Sequence, residues 1–293
     1  MSWCDIGVNF TDKRLNFETV LERALAAGVS HLIITGTSED KSQQAVDLAK
    51  QHPDHLSATV GVHPHDANQF TDQTIDAANL EQILNCALAA STSSFIQCSS
   101  IIRVSNPDSR EKLAQYAGGQ PYVASAAEFL VFCADFNRHQ QIHPDAQLGF
   151  TEQTLIGAVD TALMGQNALL AAESLGLGGV FIGGIRNNPQ QVSELLELPK
   201  HVLPLFGLCI GYPAKEPEQK PRLPLNIVLH QDKYQALDLA AVAAYDQHIL
   251  EYYAARSSNT KQVTWSQQIT ATLSKESRPF MKEFLNRQGF SDK

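Results

Sequence analysis

Between Leu175 and Asn188 the chain reads LGLGGVFIGGIRNN, a short apolar run with a glycine pair on each side and an arginine just beyond it. Few surroundings accept such a stretch. Val180, Phe181 and Ile182 read as a buried strand, and Gly183 and Gly184 leave bare backbone amides at its end. With no β-carbon in the way, such amides can approach a flat or anionic ligand closely. A tight turn between a helix and a strand is the other reading of the same glycines. Upstream, Thr151 to Leu175 reads as one long helix, apolar or small on almost every side through Leu155, Val159, Ala162, Leu163, Ala168, Leu169 and Ala172. That pattern places it in the middle of a core. Gly157 and Gly165 would let neighbours pack closely on it, and Gly176 would end it. Downstream, Asn188 and Pro189 offer a cap and a first-turn proline for a new helix, and Val202 to Ile210 reads as a further strand.

A core of this kind needs apolar residues, and 293 residues at 43% apolar content supply enough for one large domain or two modest ones. The net charge of −9 argues against a general nucleic-acid-binding protein, so any anionic ligand must be met by a local cluster of Lys and Arg. No apolar run approaches bilayer length and the first residues, MSWCDIGVNFTDKR, lack a secretory core, so a cytoplasmic protein is expected. Cys4, Cys86, Cys98, Cys133 and Cys209 show no metal or redox spacing and read as inert reduced thiols.

The first sixty-five residues alternate strand (4–9), helix (16–27), strand (31–35), helix (41–51, after Thr37 and Ser38) and strand (57–62), the grammar of a parallel α/β unit. DIGVNF at 5–10, LIITGT at 32–37 and GVHPHD at 61–66 resemble the opening of a TatD-type metal-dependent deoxyribonuclease, a (β/α)₈ barrel. The resemblance covers roughly the first quarter of the chain and stops after Asp66. The metal ligands of that family on later strands have no counterpart. His63 and His65 alone make a poor two-metal site, and three strands cannot close a barrel.

From about Phe70 the pattern changes. Thr74 to Ala90 reads as a helix, 92–104 as a polar turn and a strand, and Ser109 to Tyr116 as a helix closed by Gly118 and Gly119. A strand follows within Tyr122 to Phe136, and Asp238 to Asn286 is mainly helical around a polar loop at Arg256 to Gln262. SSFIQCSSII (93–102), GGQ (118–120), AAEFLVFCADFNRH (126–139), QNALLAAESLGLGGVFIGGIRNN (166–188), LPLFGLCIGYP (203–213), KPRLP (220–224) and KESRPF (275–280) stand in one order. Together they resemble the oxygen-insensitive NADPH nitroreductase and flavin reductase group of the nitroreductase superfamily. The expected fold is α+β, with an antiparallel-rich sheet and central buried helices over residues 68–293, behind an incomplete β/α segment at 1–67.

That resemblance implies FMN bound without a covalent bond at a homodimer interface, with NADPH as donor and a nitroaromatic, quinone or flavin as acceptor. It places Thr92, Ser93, Ser94, Gln120, Phe181, Ile182, Gly183 and Gly184 on the flavin, and Lys220, Pro221 and Arg222 on its phosphate side. Phe95 and Arg278 fall over the acceptor face, and Arg256 and Lys261 on NADPH. Gln262 stands where a second cation is common, and Lys261 loses the bidentate grip of an arginine, which weakens NADPH preference. Arg186 either faces the cofactor or pairs with an acid. Where the family clamps the phosphate with His, Ser and Arg, this chain has Pro64, His65, Asp66, Ala67 and Asn68. Two missing arginine contacts, each worth about 1.5–3 kcal/mol, would weaken FMN binding by about two orders of magnitude or more.

Overall fold

The computed structural model describes residues 3–8, 16–35, 39–59, 70–214, 220–256 and 261–293. Thr37, Ser38 and the segment holding His63, Pro64, His65, Asp66, Ala67 and Asn68 lie outside the described residues.

The first part runs β1 (Trp3–Val8), α1 (Phe17–Ala26), β2 (Val29–Thr35), α2 (Glu39–Gln51) and β3 (Leu56–Thr59). Asn16 starts α1 by accepting from the Thr19 amide at 3.1 Å, and Gly28, at φ +88°, turns the chain into β2. The strands form a parallel sheet in the order β1-β2-β3. Leu21, Leu32, Ile34, Ala45 and Leu56 are its buried centre. The expected β/α alternation is therefore present.

The second part continues with α3 (Ala77–Leu88), β4 (Ser99–Arg103), α4 (Pro107–Tyr116), α5 (Tyr122–Ser125), β5 (Glu128–Asp135), α6 (Asn137–Ile142) and α7 (Thr151–Ser174). Then come β6 (Gly178–Ile182), α8 (Pro189–Leu195), β7 (Val202–Gly211), α9 (Leu225–Val228), α10 (Leu239–Ala255), α11 (Trp265–Leu273) and α12 (Met281–Arg287). Its sheet is antiparallel throughout, in the order β4-β5-β7-β6. All of β5 is buried because both faces are covered. Phe129, Val131 and Cys133 point into a core with Leu113, Val123, Ile185 and Val192, while Leu130 and Phe132 pack with Ile83, Met164 and Ala168 of α3 and α7.

Alpha7 differs from a helix buried all round. Gly157 and Gly165 face the sheet, where a β-carbon would come 2.7 Å from Ala134 Cβ and 2.6 Å from the Phe206 ring. The opposite side carries Leu155, Val159, Leu163 and Leu170, exposed by 57%, 55%, 47% and 55%. By length and composition this 24-residue helix could cross a membrane, contrary to the sequence reading that nothing in the chain approaches that length. Its packing on the sheet accounts for one apolar side and leaves the other open.

Two further expectations are corrected. Beta6 is an edge strand rather than a fully buried one, with Ile182 enclosed and Phe181 40% exposed, because strands at the edge of a sheet alternate between core and surface. Asn188 does not cap α8 with its side chain. Its Nδ2 donates instead to the Tyr116 carbonyl at 2.8 Å, tying the start of α8 to the end of α4.

The C-terminal turn is fastened by His201, a buried residue at φ +64° whose Nδ1 lies 3.1 Å from the Gly289 carbonyl. Burial pulls its pKa below the ordinary 6.5, with Lys200 and Lys293 acting in the same direction and the Gly289 carbonyl and Asp292 opposing. The neutral ring therefore stabilises the fold fully above pH 6.5, and that contribution is lost as pH falls through the lower native value. Thermal midpoints across this window should fall on acidification in the wild type and fall less in His201→Asn.

Candidate functional site

The sequence-predicted residues fall into three groups. The first surrounds the end of β6. The glycine pair opens a short 3-10 helix, Gly183–Asn187, rather than continuing the strand. A β-carbon on Gly184 would run into the Ala117 carbonyl and come within 2.7 Å of Gln120 Nε2, so this glycine is required by the close approach of the loop after α4. At Gly183 a β-carbon would meet only the Arg186 guanidinium, 3.4 Å away. Gln120 is held in place: its Nε2 donates to Ala117 O at 2.9 Å and its Oε1 accepts from the Tyr122 hydroxyl at 2.8 Å. One amide hydrogen and one lone pair stay available for a ligand.

Arg186 is half-buried and donates to the Leu205 carbonyl, and among the described residues it makes no ion pair. Burial, with Arg278 nearby, lowers its pKa. Arg278, at φ +58°, donates through Nε and Nη2 to Asn187 Oδ1 at 3.0 and 2.8 Å. The Arg186 guanidinium thus stands beside the bare backbone of Gly183, and the Arg278 guanidinium is held on Asn187 at the far end of the same short helix.

The second group is the turn Thr92 to Phe95 ahead of β4. Ser93 is fixed through its backbone N–H, 2.9 Å from Asp160 Oδ2, and its hydroxyl, 2.8 Å from Asp160 Oδ1. Ser94 is exposed, and Phe95 is 80% exposed. The turn precedes β4, which begins opposite Ala134, level with Leu203 near the start of β7, whereas β6 ends opposite Gly207 in the middle of β7 and runs toward that same end. The two groups belong to opposite edges of the sheet, three strand spacings or at least about 14 Å apart.

The third group gathers on α10 and the segments flanking it. Lys220 Nζ and Lys261 Nζ lie 5.5 and 5.9 Å from the Tyr253 ring centre, and Arg256 stands 5.6 Å over Tyr252. Burial pushes the Tyr253 phenol up, yet the hydrogen bond and charge of Lys220, together with Lys261 and Gln268, bring it below its ordinary value. One residue expected on the FMN phosphate, Lys220, and one expected on NADPH, Lys261, therefore meet on the Tyr253 ring. Arg222 donates to the Lys220 carbonyl at 2.8 Å and lines an open groove of about 590 Å³ with Pro221, Asn226, Tyr245 and His248.

Asp160, Tyr122 and Tyr253 were not singled out from sequence. The available signal was chemical: between Glu152 and Glu173 at its ends, the apolar middle of α7 carries one carboxylate, Asp160, and a carboxylate buried there needs hydrogen-bond donors. Burial pushes the Cys98, Cys133 and Cys209 thiols up to about 12, helped by Asp160 at Cys98 and by Asp135 at Cys133 and opposed by Arg110 at Cys209. They stay protonated and unreactive, in keeping with the sequence reading. Among the described residues no cluster of three or more His, Cys, Asp or Glu could hold a metal ion.

Three family models match the chain: nitroreductase family over residues 67–212, nitroreductase family C-terminal domain over 220–293, and TatD related DNase over 4–94. An oxygen-insensitive NADPH nitroreductase of Salmonella typhimurium is 60% identical over 222 residues, 76% of this chain and 92% of the relative. An NADPH-flavin oxidoreductase of Vibrio harveyi is 53% identical over 76% of this chain and 93% of its own length. Among solved structures, nitroreductase A from Vibrio parahaemolyticus superposes with a TM-score of 0.73 at 55% identity, covering 77% of this chain and 93% of that one. The NADPH:FMN oxidoreductase from Vibrio harveyi complexed with NAD+ gives 0.72 at 50% identity, covering 76% and 94%. The antiparallel sheet with α3 and α7 across it, the Gly183 turn, Arg186 and Arg278 all lie within the two nitroreductase matches, and the chain belongs to the nitroreductase family.

Proposed function

We propose that the protein is an FMN-dependent NAD(P)H oxidoreductase, with NADPH as donor, that reduces nitroaromatics, quinones or free flavin. The observation that carries this reading is the 60% identity with an NADPH nitroreductase over 92% of that relative. The residues present fit the cofactor. Gly183 offers bare backbone beside Arg186, with Arg278 close to that guanidinium, while Gln120 keeps a free donor and a free acceptor. Lys220 and Arg222 are the cations for its phosphate. FMN bound there would supply the hydride-transfer chemistry between NADPH and the acceptor. Arg186 and Arg278 put positive charge where negative charge would develop on a ring held at Gly183. Phe95 supplies an apolar wall for a flat acceptor, and Arg256 and Lys261 attract the NADPH phosphate.

The enzyme works as a cytoplasmic homodimer. The Leu155, Val159, Leu163 and Leu170 stripe supports the dimer, as does the placement of the Ser93 and Gly183 groups at opposite sheet edges of one chain, at least about 14 Å apart. A two-fold axis would bring the Ser93 turn of one protomer to the Gly183 turn of its partner. Residues 1–67 form a TatD-like β/α segment and 68–293 the nitroreductase domain. Although the TatD-related match runs on to residue 94, Leu80, Ile83 and Ala87 share a core with α7, which supports the earlier boundary.

Protein supplemented with FMN and desalted should keep a flavin absorbance band. A spectrum without one overturns the reading and leaves a non-catalytic fusion. Arg222→Ala should raise the FMN dissociation constant at least about tenfold, the loss of one charge-assisted phosphate contact; unchanged retention would show that Arg222 does not hold the phosphate.

A further inference from the structure

Three of the four residues Ser94, Phe95, Ile96 and Gln97 adopt a left-handed backbone that L side chains rarely take: Ser94 at φ +49°, Phe95 at +57° and Gln97 at +55°. Such a run persists only where its surroundings over-determine it. Here it is gripped from both ends. At the start, Asp160, 2% exposed in the middle of α7, takes the Ser93 N–H on one oxygen and the Ser93 hydroxyl on the other, and the Cys98 thiol lies 3.8 Å away. At the end, Arg138 Nη1 donates to the Gln97 carbonyl at 3.1 Å, Arg138 Nη2 donates to Ser100 Oγ at 2.7 Å, and the His139 ring sits 2.7 Å from the Ile96 carbonyl. The strained turn does not serve to bury its aromatic residue, because Phe95 is left 80% exposed. Burial cannot be what the turn is built for; display of the ring can.

Resting on the flavin-reductase reading above, we propose that Asp160 is a positioning residue that fixes the Ser93 turn and holds Phe95 out as the wall against a flat aromatic or quinoid acceptor, with Arg138 securing the other end. The geometry also sets the polarity of Ser93. Its hydroxyl hydrogen is committed to Asp160, so it presents only lone pairs to a ligand and would pair with a donor such as a ribityl hydroxyl rather than with a phosphate or carbonyl oxygen. Asparagine at 160 can still accept from the Ser93 amide. Its own NH₂ would donate to the Ser93 oxygen and leave the hydroxyl hydrogen free.

The test is a double-mutant cycle on the FMN-loaded protein with a quinone as acceptor, reading KM and kcat separately. Asp160→Ala and Phe95→Ala are each expected to raise the quinone KM about tenfold with kcat within about twofold, and the double variant to be no worse than either alone. Asp160→Asn should restore KM to within about threefold of wild type, since the turn keeps its amide anchor. A general structural role would lower the thermal midpoint without this coupling. Additive effects in the cycle, or an unchanged KM in Asp160→Ala, overturn the proposal. Should Asp160→Ala fail to fold, the same cycle is run with Arg138→Gln, where non-additivity with Phe95→Ala supports the clamp and additivity overturns it. Wild-type protein with no flavin band and no quinone reduction overturns the flavin reading and this proposal with it. A turning-over wild type with additive variants overturns this proposal alone.

Discussion

Leu163→Glu combined with Val159→Glu should convert the proposed dimer to a monomer and strip it of flavin. In a single chain both side chains are about half exposed, at 55% for Val159 and 47% for Leu163, so the charges face water and the monomer's own fold should be unaffected. In the dimer they would be enclosed. Covering the exposed half of an aliphatic side chain is worth about 1 kcal/mol, and an isologous interface counts each contribution twice, so the four-residue stripe supplies roughly 8 kcal/mol. Replacing two of the four by carboxylates removes about half of that and adds the cost of desolvating charge. The dimer dissociation constant should therefore rise at least a thousandfold, about 4 kcal/mol. Molar mass by sedimentation, with the circular dichroism spectrum as the control for folding, checks it. An unchanged mass would place any dimer contact elsewhere on the surface. A monomer that keeps its flavin would show that one chain completes the site alone.

The second large effect is expected at the glycine pair, where two chemically identical substitutions should behave oppositely. Gly184→Ala drives a β-carbon into the Ala117 carbonyl and against Gln120 Nε2, and the obstacle at Ala117 is backbone, which cannot swing aside. Overpacking of this kind costs about 1–3 kcal/mol, which at about 2–4 °C per kcal/mol for a domain of this size is roughly 2–12 °C in thermal midpoint. It should also displace Gln120 and weaken FMN binding about tenfold or more, by the same free-energy conversion. Gly183→Ala meets only the Arg186 guanidinium at 3.4 Å, a flexible side-chain end, so stability should change little. If Gly183→Ala nevertheless weakens FMN, the ligand comes as close to Gly183 as the Ala117 loop comes to Gly184. If neither variant moves the flavin titration, the ring lies elsewhere. Thermal melts and fluorescence titration of FMN separate the four outcomes.

Much of the second domain's architecture was legible. The eight residues of β5 lie inside AAEFLVFCADF, whose apolar stretch Phe129 to Ala134 only a doubly covered strand can hide, and the helix that ends just before Gly176 was marked by its apolar and small residues. The small residues Gly157 and Gly165 pointed to close packing, and the Ala134 and Phe206 contacts supply the neighbours. Periodicity was less informative about position in the sheet. The run Val180 to Ile182 has the same apolar character whether central or at an edge, and only the strand order makes it an edge with Phe181 outward. Asn188 had the composition of a cap, but the Tyr116 carbonyl competed for its amide and won.

By itself the sequence determined what local chemistry and motif order can carry: a β/α segment followed by an antiparallel α+β domain, a helix too apolar to stand in water on every side, and membership of the nitroreductase family. The tertiary structure decided which residues meet. Asp160 holds Ser93 across 67 residues of chain, and Lys220 and Lys261, expected to serve different phosphates, converge on Tyr253. Gly184 owes its lack of a side chain to Ala117 and Gln120. Hydrophobic periodicity records only which face of an element is buried. The partner that a buried carboxylate or a bare glycine requires is fixed by packing between distant segments, and no local pattern encodes it.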